Sequence, residues 1–128
     1  MALSIPAAIE VLGQTFIVRV QPHPTAQLNP DDNDSTDAMG HCDRQRLVIS
    51  LRGPDGMADD KAREVLLHEV LHAIIGTARI PPFHATTEAD DDLEEKIVSM
   101  LAPLLLHTLR ENPGLVRVIL GRDADTRA

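Results

Sequence analysis

The sequence predicts a small α+β domain in which a short, mostly antiparallel sheet packs against two helices. Three observations lead to this prediction: two β-prone stretches near the start of the chain, a third after a polar region, and helical periodicity in the second half. The chain has 128 residues, which is the size of one ordinary domain. We therefore expect residues 1–128 to form a single domain with a disordered tail at 121–128.

A β-hairpin is predicted first. Residues 5–11 and 15–21 are β-prone, and the second stretch is rich in β-branched residues. Gly13 lies between the two stretches, where a tight turn favours glycine. Pro22 and Pro24 end the second strand because proline cannot donate a hydrogen bond to a sheet.

A long polar loop and a third strand follow the hairpin. Residues 22–43 are crowded with Pro, Asp and Asn, and a loop of that length is functional or disordered in most compact domains. Its aspartates suggest calcium, but the glycine that an EF-hand loop needs is missing, so we interpret it as a solvated acidic loop. Residues 44–52 form the third predicted strand, with Leu47, Ile49 and Leu51 on one side.

Two helices are predicted in the second half. The first covers residues 59–75, with Gly76 as its C-cap. The second covers residues 87–110; acidic residues fill its first turns and Pro103 is expected to kink it. Residues 115–120 form either a short strand or a last helical turn.

Composition excludes several classes of partner. The formal net charge is −8, from 12 basic and 20 acidic residues, so a nucleic-acid partner is not expected. No apolar run has the length of a membrane span, and the N-terminal residues lack the basic leader of a signal peptide. The single cysteine, Cys42, cannot form an internal disulfide. We expect a soluble cytoplasmic protein without a membrane partner.

The chemistry-bearing motif is His68-Glu69-Val70-Leu71-His72, which has the H-E-x-x-H pattern on a predicted helix. Residues four apart lie on one face of a helix, so both imidazoles can bind one Zn²⁺ ion. The glutamate after the first histidine can then accept a proton from the water at the metal. The pattern therefore predicts Zn²⁺ as cofactor, His68 and His72 as ligands, and Glu69 as general base.

The surroundings of the motif favour a metal over a chance match. Most of the remaining circumference of this helix is apolar, so the helix is expected to be buried. Buried histidines need partners, and a metal ion supplies them. The alternative is a pair of hydrogen-bonded core histidines.

A catalytic zinc site needs a third protein ligand, and the second helix offers two. Glu94 lies near the centre of the predicted core-facing stripe, whereas Glu95 lies about 100° away. That stripe consists of Leu93, Ile97, Val98, Leu101, Leu104 and Leu105. We predict Glu94 as the ligand and keep Glu95 as its rival, because the small residues Ser99 and Ala102 lie on the face of Glu95 and helices approach closely over small residues. Glu94 could instead lie at a solvated helix edge.

The H-E-x-x-H motif, followed 22–23 residues later by Glu94 and Glu95, resembles the gluzincin division of zinc metallopeptidases. At this length the chain is similar to minimal zincin-like proteins of bacteria and phages. The resemblance implies a zincin-like fold and a zinc metalloendopeptidase that acts on a peptide or protein substrate. It also implies that residues 44–52 form the edge strand of the sheet, which pairs with the extended substrate.

The sequence departs from that family at the residue that stabilises the oxyanion. Many gluzincins use a tyrosine or a distant histidine, and this chain has no tyrosine. Four residues could substitute: His41, Arg79, His84 and His107. Cys42 could bind the metal as a thiolate, or it could be a small residue at the start of a strand.

Three functions are compatible with these residues. The first is a zinc peptidase, the second is a zinc-binding regulatory or protein-interaction module without general proteolytic activity, and the third is a structural zinc domain. A structural site would close all four metal positions with protein ligands and would favour cysteines. Glu69 favours the enzyme, since neither alternative requires a carboxylate at that position.

Overall fold

The computed structural model describes residues 4–22, 39–53, 58–80 and 88–121, without the side chains of 88–91. It confirms a small α+β domain with a four-stranded mixed sheet and, in these residues, three helices. The elements in chain order are β1 (Ala8–Val11), β2 (Gln14–Gln21), β3 (Gly40–Asp43), β4 (Val48–Arg52), α1 (Asp59–Ala78), α2 (Glu88–Glu111) and α3 (Pro113–Ile119). Most of the predicted acidic loop and residues 122–128 of the predicted tail lie outside the described residues.

The strands follow the order β1-β2-β4-β3. The predicted hairpin is confirmed: β1 and β2 are antiparallel, and the turn residues Leu12 and Gly13 have φ of 50° and 85°. Positive φ at both turn residues matches the right-handed twist of the flanking strands. β4 pairs with β2 in parallel and with β3 in antiparallel fashion, so two of the three pairings are antiparallel.

The third predicted strand needs two corrections. Residues 44–47 form a turn, so β4 starts only at Val48. Asp43 causes this turn, because its Oδ1 accepts hydrogen bonds from the backbone N–H groups of Gln45 at 3.1 Å and Arg46 at 3.0 Å. Leu47 then adopts a left-handed backbone with φ of 58°, which interrupts the extended chain.

The second correction concerns the edge of the sheet. β4 lies between β2 and β3, so the edge next to α1 is β3, in a segment that we predicted to be loop. Its sequence, Gly-His-Cys-Asp, has little intrinsic β-propensity. Its position depends on the register with β4, in which Cys42 pairs with Ile49 and Gly40 with Leu51.

The core lies between the sheet and α1. Phe16, Ile49 and Leu51 are fully buried, and Val65 and Ala73 of α1 pack against them. Burial of each large side chain contributes about 1.5–3 kcal/mol. The core therefore fixes α1 across one face of the sheet, adjacent to β3.

Helix α1 ends later than predicted. It continues through Gly76 to Ala78, and Arg79 caps it in the left-handed conformation, with a hydrogen bond from its backbone N–H to the carbonyl of Ile75. Gly76 is therefore not the C-cap.

Helix α2 packs on α1 through a different face from the predicted one. Its buried side chains are Glu94, Val98 and Ala102. Four of the predicted core residues are exposed instead: Leu93, Ile97, Leu101 and Leu104. The small Ala102 lies where the two helices can approach closely, so the packing face is rotated from the most apolar stripe toward Glu95.

The ambiguous residues 115–120 belong mainly to the short helix α3, which begins at Pro113. Proline suits the first turn of a helix because no partner is lost there. Among the described residues, no helix is both long enough and apolar enough to cross a membrane.

Candidate metal centre

His68 and His72 converge at one point on α1. They lie four residues apart, their ring centroids are 4.8 Å apart, and their Nε2 atoms are 3.1 Å apart. Both side chains are largely buried, with exposed fractions of 19% and 12%. The helical spacing and the fixed position of α1 thus bring two nitrogen donors together, as predicted.

The two carboxylate oxygens of Glu95, on α2, each face one histidine nitrogen. Its Oε1 lies 3.0 Å from Nε2 of His68, and its Oε2 lies 2.8 Å from Nε2 of His72. The hydroxyl of Ser99, one turn later, donates to Oε1 of Glu95 at 3.1 Å. One carboxylate therefore faces the same nitrogen of both histidines.

The donor spacing is close to that of a zinc site but tighter. Two ligand atoms bound tetrahedrally at about 2.0–2.1 Å are about 3.3 Å apart. The Nε2 atoms are 3.1 Å apart and the Glu95 oxygens lie 3.0 and 2.8 Å from them, so a bound ion would require these atoms to move apart slightly. Two neutral imidazoles and one carboxylate are also a donor set typical of catalytic zinc.

Glu94 contacts the other nitrogen of His72. Its Oε2 is hydrogen-bonded to Nδ1 of His72 and to Nη2 of Arg44. The Nη2 of Arg44 is also 3.5 Å from Nδ1 of His72. Glu94 is buried as predicted, but its carboxylate lies on the side of the ring opposite Glu95.

The two carboxylates lie on opposite sides of the His72 ring, one at each nitrogen. When Nδ1–H donates to Glu94, a neutral His72 carries a lone pair on Nε2. That lone pair faces the Glu95 oxygen at 2.8 Å, and two electron-rich atoms at this distance repel each other. A proton or a metal ion between them removes the repulsion, so the site is built for positive charge.

The pKa shifts of Glu95 and His68 also indicate that the carboxylate and the histidines interact through their charges. Hydrogen bonds from His68 and His72 hold the pKa of Glu95 well below its usual range. The hydrogen bond to Glu95 raises the pKa of His68 against the opposing effect of burial. Glu95 and His68 thus each stabilise the charged form of the other.

Glu69 lies beside the nitrogen donors but is more deeply buried. Its exposed fraction is 6%, and one donor atom each of His68, Glu69 and His72 lies within 4.8 Å of the others. Burial raises the pKa of Glu69 to about 7, the charge of Glu95 adds to this, and His68 and Arg44 oppose it. Because Glu95 approaches both nitrogens more closely, Glu69 is left as a nearby carboxylate rather than a required ligand.

Gly40 leaves room for the side chain of Glu69. This glycine was not singled out in the sequence analysis. A Cβ atom at this position would lie 2.7 Å from Cγ1 of Val65 and 2.9 Å from Oε2 of Glu69. Glycine therefore lets β3 approach α1 closely. In the sequence, this close approach is indicated only by the glycine immediately before His41 and Cys42.

The site opens into a cleft of about 840 Å³ between β3, α1 and α2. The residues that line it are Met39, Gly40, His41, Cys42, Arg44, Lys61, Glu64, Val65, His68, Glu69, His72, Glu94, Glu95 and Ser99. The cleft is large enough for a segment of a peptide. The donor atoms therefore lie on the wall of a cleft bordered by the edge strand.

The structure distinguishes among the other predicted residues. His41 lines the cleft, and burial lowers its pKa. His107 contacts Glu111 and does not line the cleft. Arg79 does not line it either, and His84 lies outside the described residues. Burial raises the pKa of Cys42 to about 12, which keeps its side chain a thiol in the metal-free protein.

Comparison with known proteins identifies no relative. No protein-family model matches the chain, and neither curated protein sequences nor solved structures give a significant match.

Proposed function

We propose that this protein is a zinc-dependent metallopeptidase whose ion is held by His68, His72 and Glu95. The observation that carries the proposal is the Glu95 carboxylate, whose two oxygens lie 3.0 and 2.8 Å from the Nε2 atoms of the two histidines. We propose Glu95 as third ligand in preference to Glu94, because Glu94 contacts only the Nδ1 side of His72.

A zinc ion at this site would lower the pKa of a bound water and polarise the carbonyl of the substrate. Glu69 acts as the general base and acid. Its carboxylate takes a proton from the attacking water and delivers it to the nitrogen of the leaving amine, which breaks the peptide bond. The buried position of Glu69 beside the donors suits this role.

A peptide is the proposed substrate because of the edge strand. In the described part of the chain, β3 pairs with β4 alone, and its residues Gly40, His41 and Cys42 line the cleft. The free backbone groups of an edge strand can pair with an extended peptide. Such pairing would hold the scissile bond alongside α1, near the donor atoms.

The test compares cleavage by wild type and by Glu69→Gln. The substitution keeps size and shape but removes the group that takes the proton, so we expect normal zinc content and a cleavage rate lower by about 10²–10⁴. A peptide library is screened with wild type at neutral pH in the presence of zinc, and cleavage is followed by mass spectrometry.

Glu111→Gln is the matched control. Glu111 is at the end of α2, where it contacts His107, and it does not line the cleft. This variant should cleave at nearly the wild-type rate. An unchanged rate in Glu69→Gln would exclude the mechanism, and zinc binding without any cleavage by wild type would favour the regulatory module.

A further inference from the structure

The second nitrogen of His72 is held by a network that reaches across three parts of the fold. Nδ1 of His72 on α1 is hydrogen-bonded to Oε2 of Glu94 on α2, and the same oxygen accepts from Nη2 of Arg44 in the turn after β3. The Glu94 side chain is 5% exposed and Arg44 is 35% exposed. A carboxylate buried to this extent needs a positive partner, and Arg44 provides it.

The hydrogen bond fixes the chemical form of the ring. A carboxylate on Nδ1 accepts the only N–H of a neutral imidazole, which leaves the lone pair on Nε2. It also fixes the ring orientation, so that Nε2 points at Glu95 and at Nε2 of His68. Such partners make a histidine a better metal ligand.

Gly76 keeps open the path of the Arg44 side chain. Gly76 lies one helical turn after His72, and a Cβ atom there would lie 2.6 Å from Nε of Arg44 and 3.0 Å from its Cζ. Glycine is unfavourable inside a helix, and this residue is not the cap of α1. Its lack of a side chain lets the guanidinium pass α1 and reach Glu94.

We propose that Arg44 and Glu94 are positioning residues for His72, and that Gly76 is required for Arg44 to reach its place. This inference rests on the proposed metal site and extends it. Arg44 acts through Glu94, which sets the tautomer and orientation of the His72 ring. Neither residue supplies a ligand atom.

The experiment measures zinc affinity, by competition with a chromophoric chelator, and the visible absorption of the Co²⁺-loaded protein. In Glu94→Gln and Arg44→Met we expect the Kd for zinc to rise about 10–100-fold, the range for loss of such a partner. The Co²⁺ bands should shift, because the geometry of the His72 ligand changes. Neither readout requires enzymatic activity.

Gly76→Ala tests whether the Arg44 side chain needs the space beside Gly76. The substitution alters no polar group. We expect the same loss of zinc affinity, although alanine is the better helix former. The double variant Gly76→Ala/Arg44→Met should bind zinc as Arg44→Met does, since the arginine contact is already lost. Arg46→Met is the matched control: Arg46 is in the same turn but forms its ion pair with Asp43. It should bind zinc like wild type.

The outcomes separate this inference from the proposed function. Wild-type zinc affinity and Co²⁺ bands in Glu94→Gln, Arg44→Met and Gly76→Ala would overturn the positioning role and leave the metal site intact. Additive losses in the double variant would overturn the role of Gly76. Should Arg44→Met fail to fold, Gly76→Ala and Glu94→Gln still decide the question. A wild type that binds no zinc would overturn the proposed function and this inference with it.

Discussion

At the scale of residues, the two adjacent glutamates of α2 take different positions around His72. Glu94 is 4% exposed and reaches Nδ1, whereas Glu95 reaches Nε2 from the cleft side. The sequence predicted the histidines and Glu69 because the H-E-x-x-H spacing fixes them on one helical face. The apolar periodicity favoured Glu94 over Glu95 as third ligand, whereas the proposed ligand is Glu95. Periodicity could not decide between them, because a rotation of about 100° separates the two and the orientation of α2 depends on tertiary packing.

The first prediction concerns Cys42. Its pKa of about 12 lies above the ordinary value of 9.0, so the folded protein holds a neutral thiol at pH 8. In the metal-free protein we expect alkylation by iodoacetamide to be slower by at least about tenfold than in the urea-unfolded chain, since only the thiolate reacts. Mass spectrometry at timed intervals measures both rates. Equal rates would show that the thiol is neither buried nor neutral.

The sign of the shift also sets a pH dependence. A thiol whose pKa is raised on folding contributes stability below its unfolded pKa, and that contribution is lost as pH rises further. Denaturant unfolding from pH 8 to 10 should therefore show wild type losing stability relative to Cys42→Ala.

At the scale of elements, two glycines allow close approaches that the site needs. The hairpin and both long helices followed from local patterns, because each carries its own periodicity or turn signal. The strand β3 did not, because Gly40 and its neighbours become extended only by pairing with β4 and packing on α1. Gly76 resembled a cap in the sequence, but its role depends on Arg44, 32 positions earlier in the chain.

Gly40→Ala tests the approach of β3 to α1. The added Cβ would lie 2.7 Å from Val65 and 2.9 Å from Glu69, so the strand or the helix must shift. We expect a loss of about 1–3 kcal/mol in the free energy of unfolding, which is typical of overpacking. Urea unfolding followed by circular dichroism measures it.

Gly114→Ala is the control for this substitution. Its Cβ would meet nothing closer than Nη2 of Arg117 at 3.8 Å, and Gly114 lies in helix α3. Stability should therefore stay the same or rise slightly. An equally stable Gly40→Ala would mean that β3 and α1 are not closely packed.

At the scale of the whole molecule, the candidate metal centre brings together parts that are distant in sequence. The donors come from α1 and α2, and Arg44 connects them to the turn after β3. An ion bound here would stabilise only the folded chain, because the donors separate on unfolding. A metal-bound site would thus contribute to the stability of the fold as well as to the proposed chemistry.

Chelation should therefore lower the melting temperature. A free zinc concentration about 1,000 times the Kd contributes about 4 kcal/mol, which corresponds to a shift of about 10 °C or more in a domain of this size. Scanning calorimetry with zinc and with excess chelator measures the shift. His68→Ala is the control and should melt at one temperature in both conditions. A wild type insensitive to chelation would contradict a bound ion.

The central claim is that His68, His72 and Glu95 hold one metal ion. The measurement that tests it most directly is anomalous diffraction at the zinc absorption edge from crystals of the zinc-loaded protein. We expect a single strong peak in the cleft, about 2.0–2.2 Å from Nε2 of each histidine and from an oxygen of Glu95, with Glu94 on Nδ1 of His72. The absence of a peak at these atoms, or a peak bound by Glu94 with Glu95 turned away, would contradict the account.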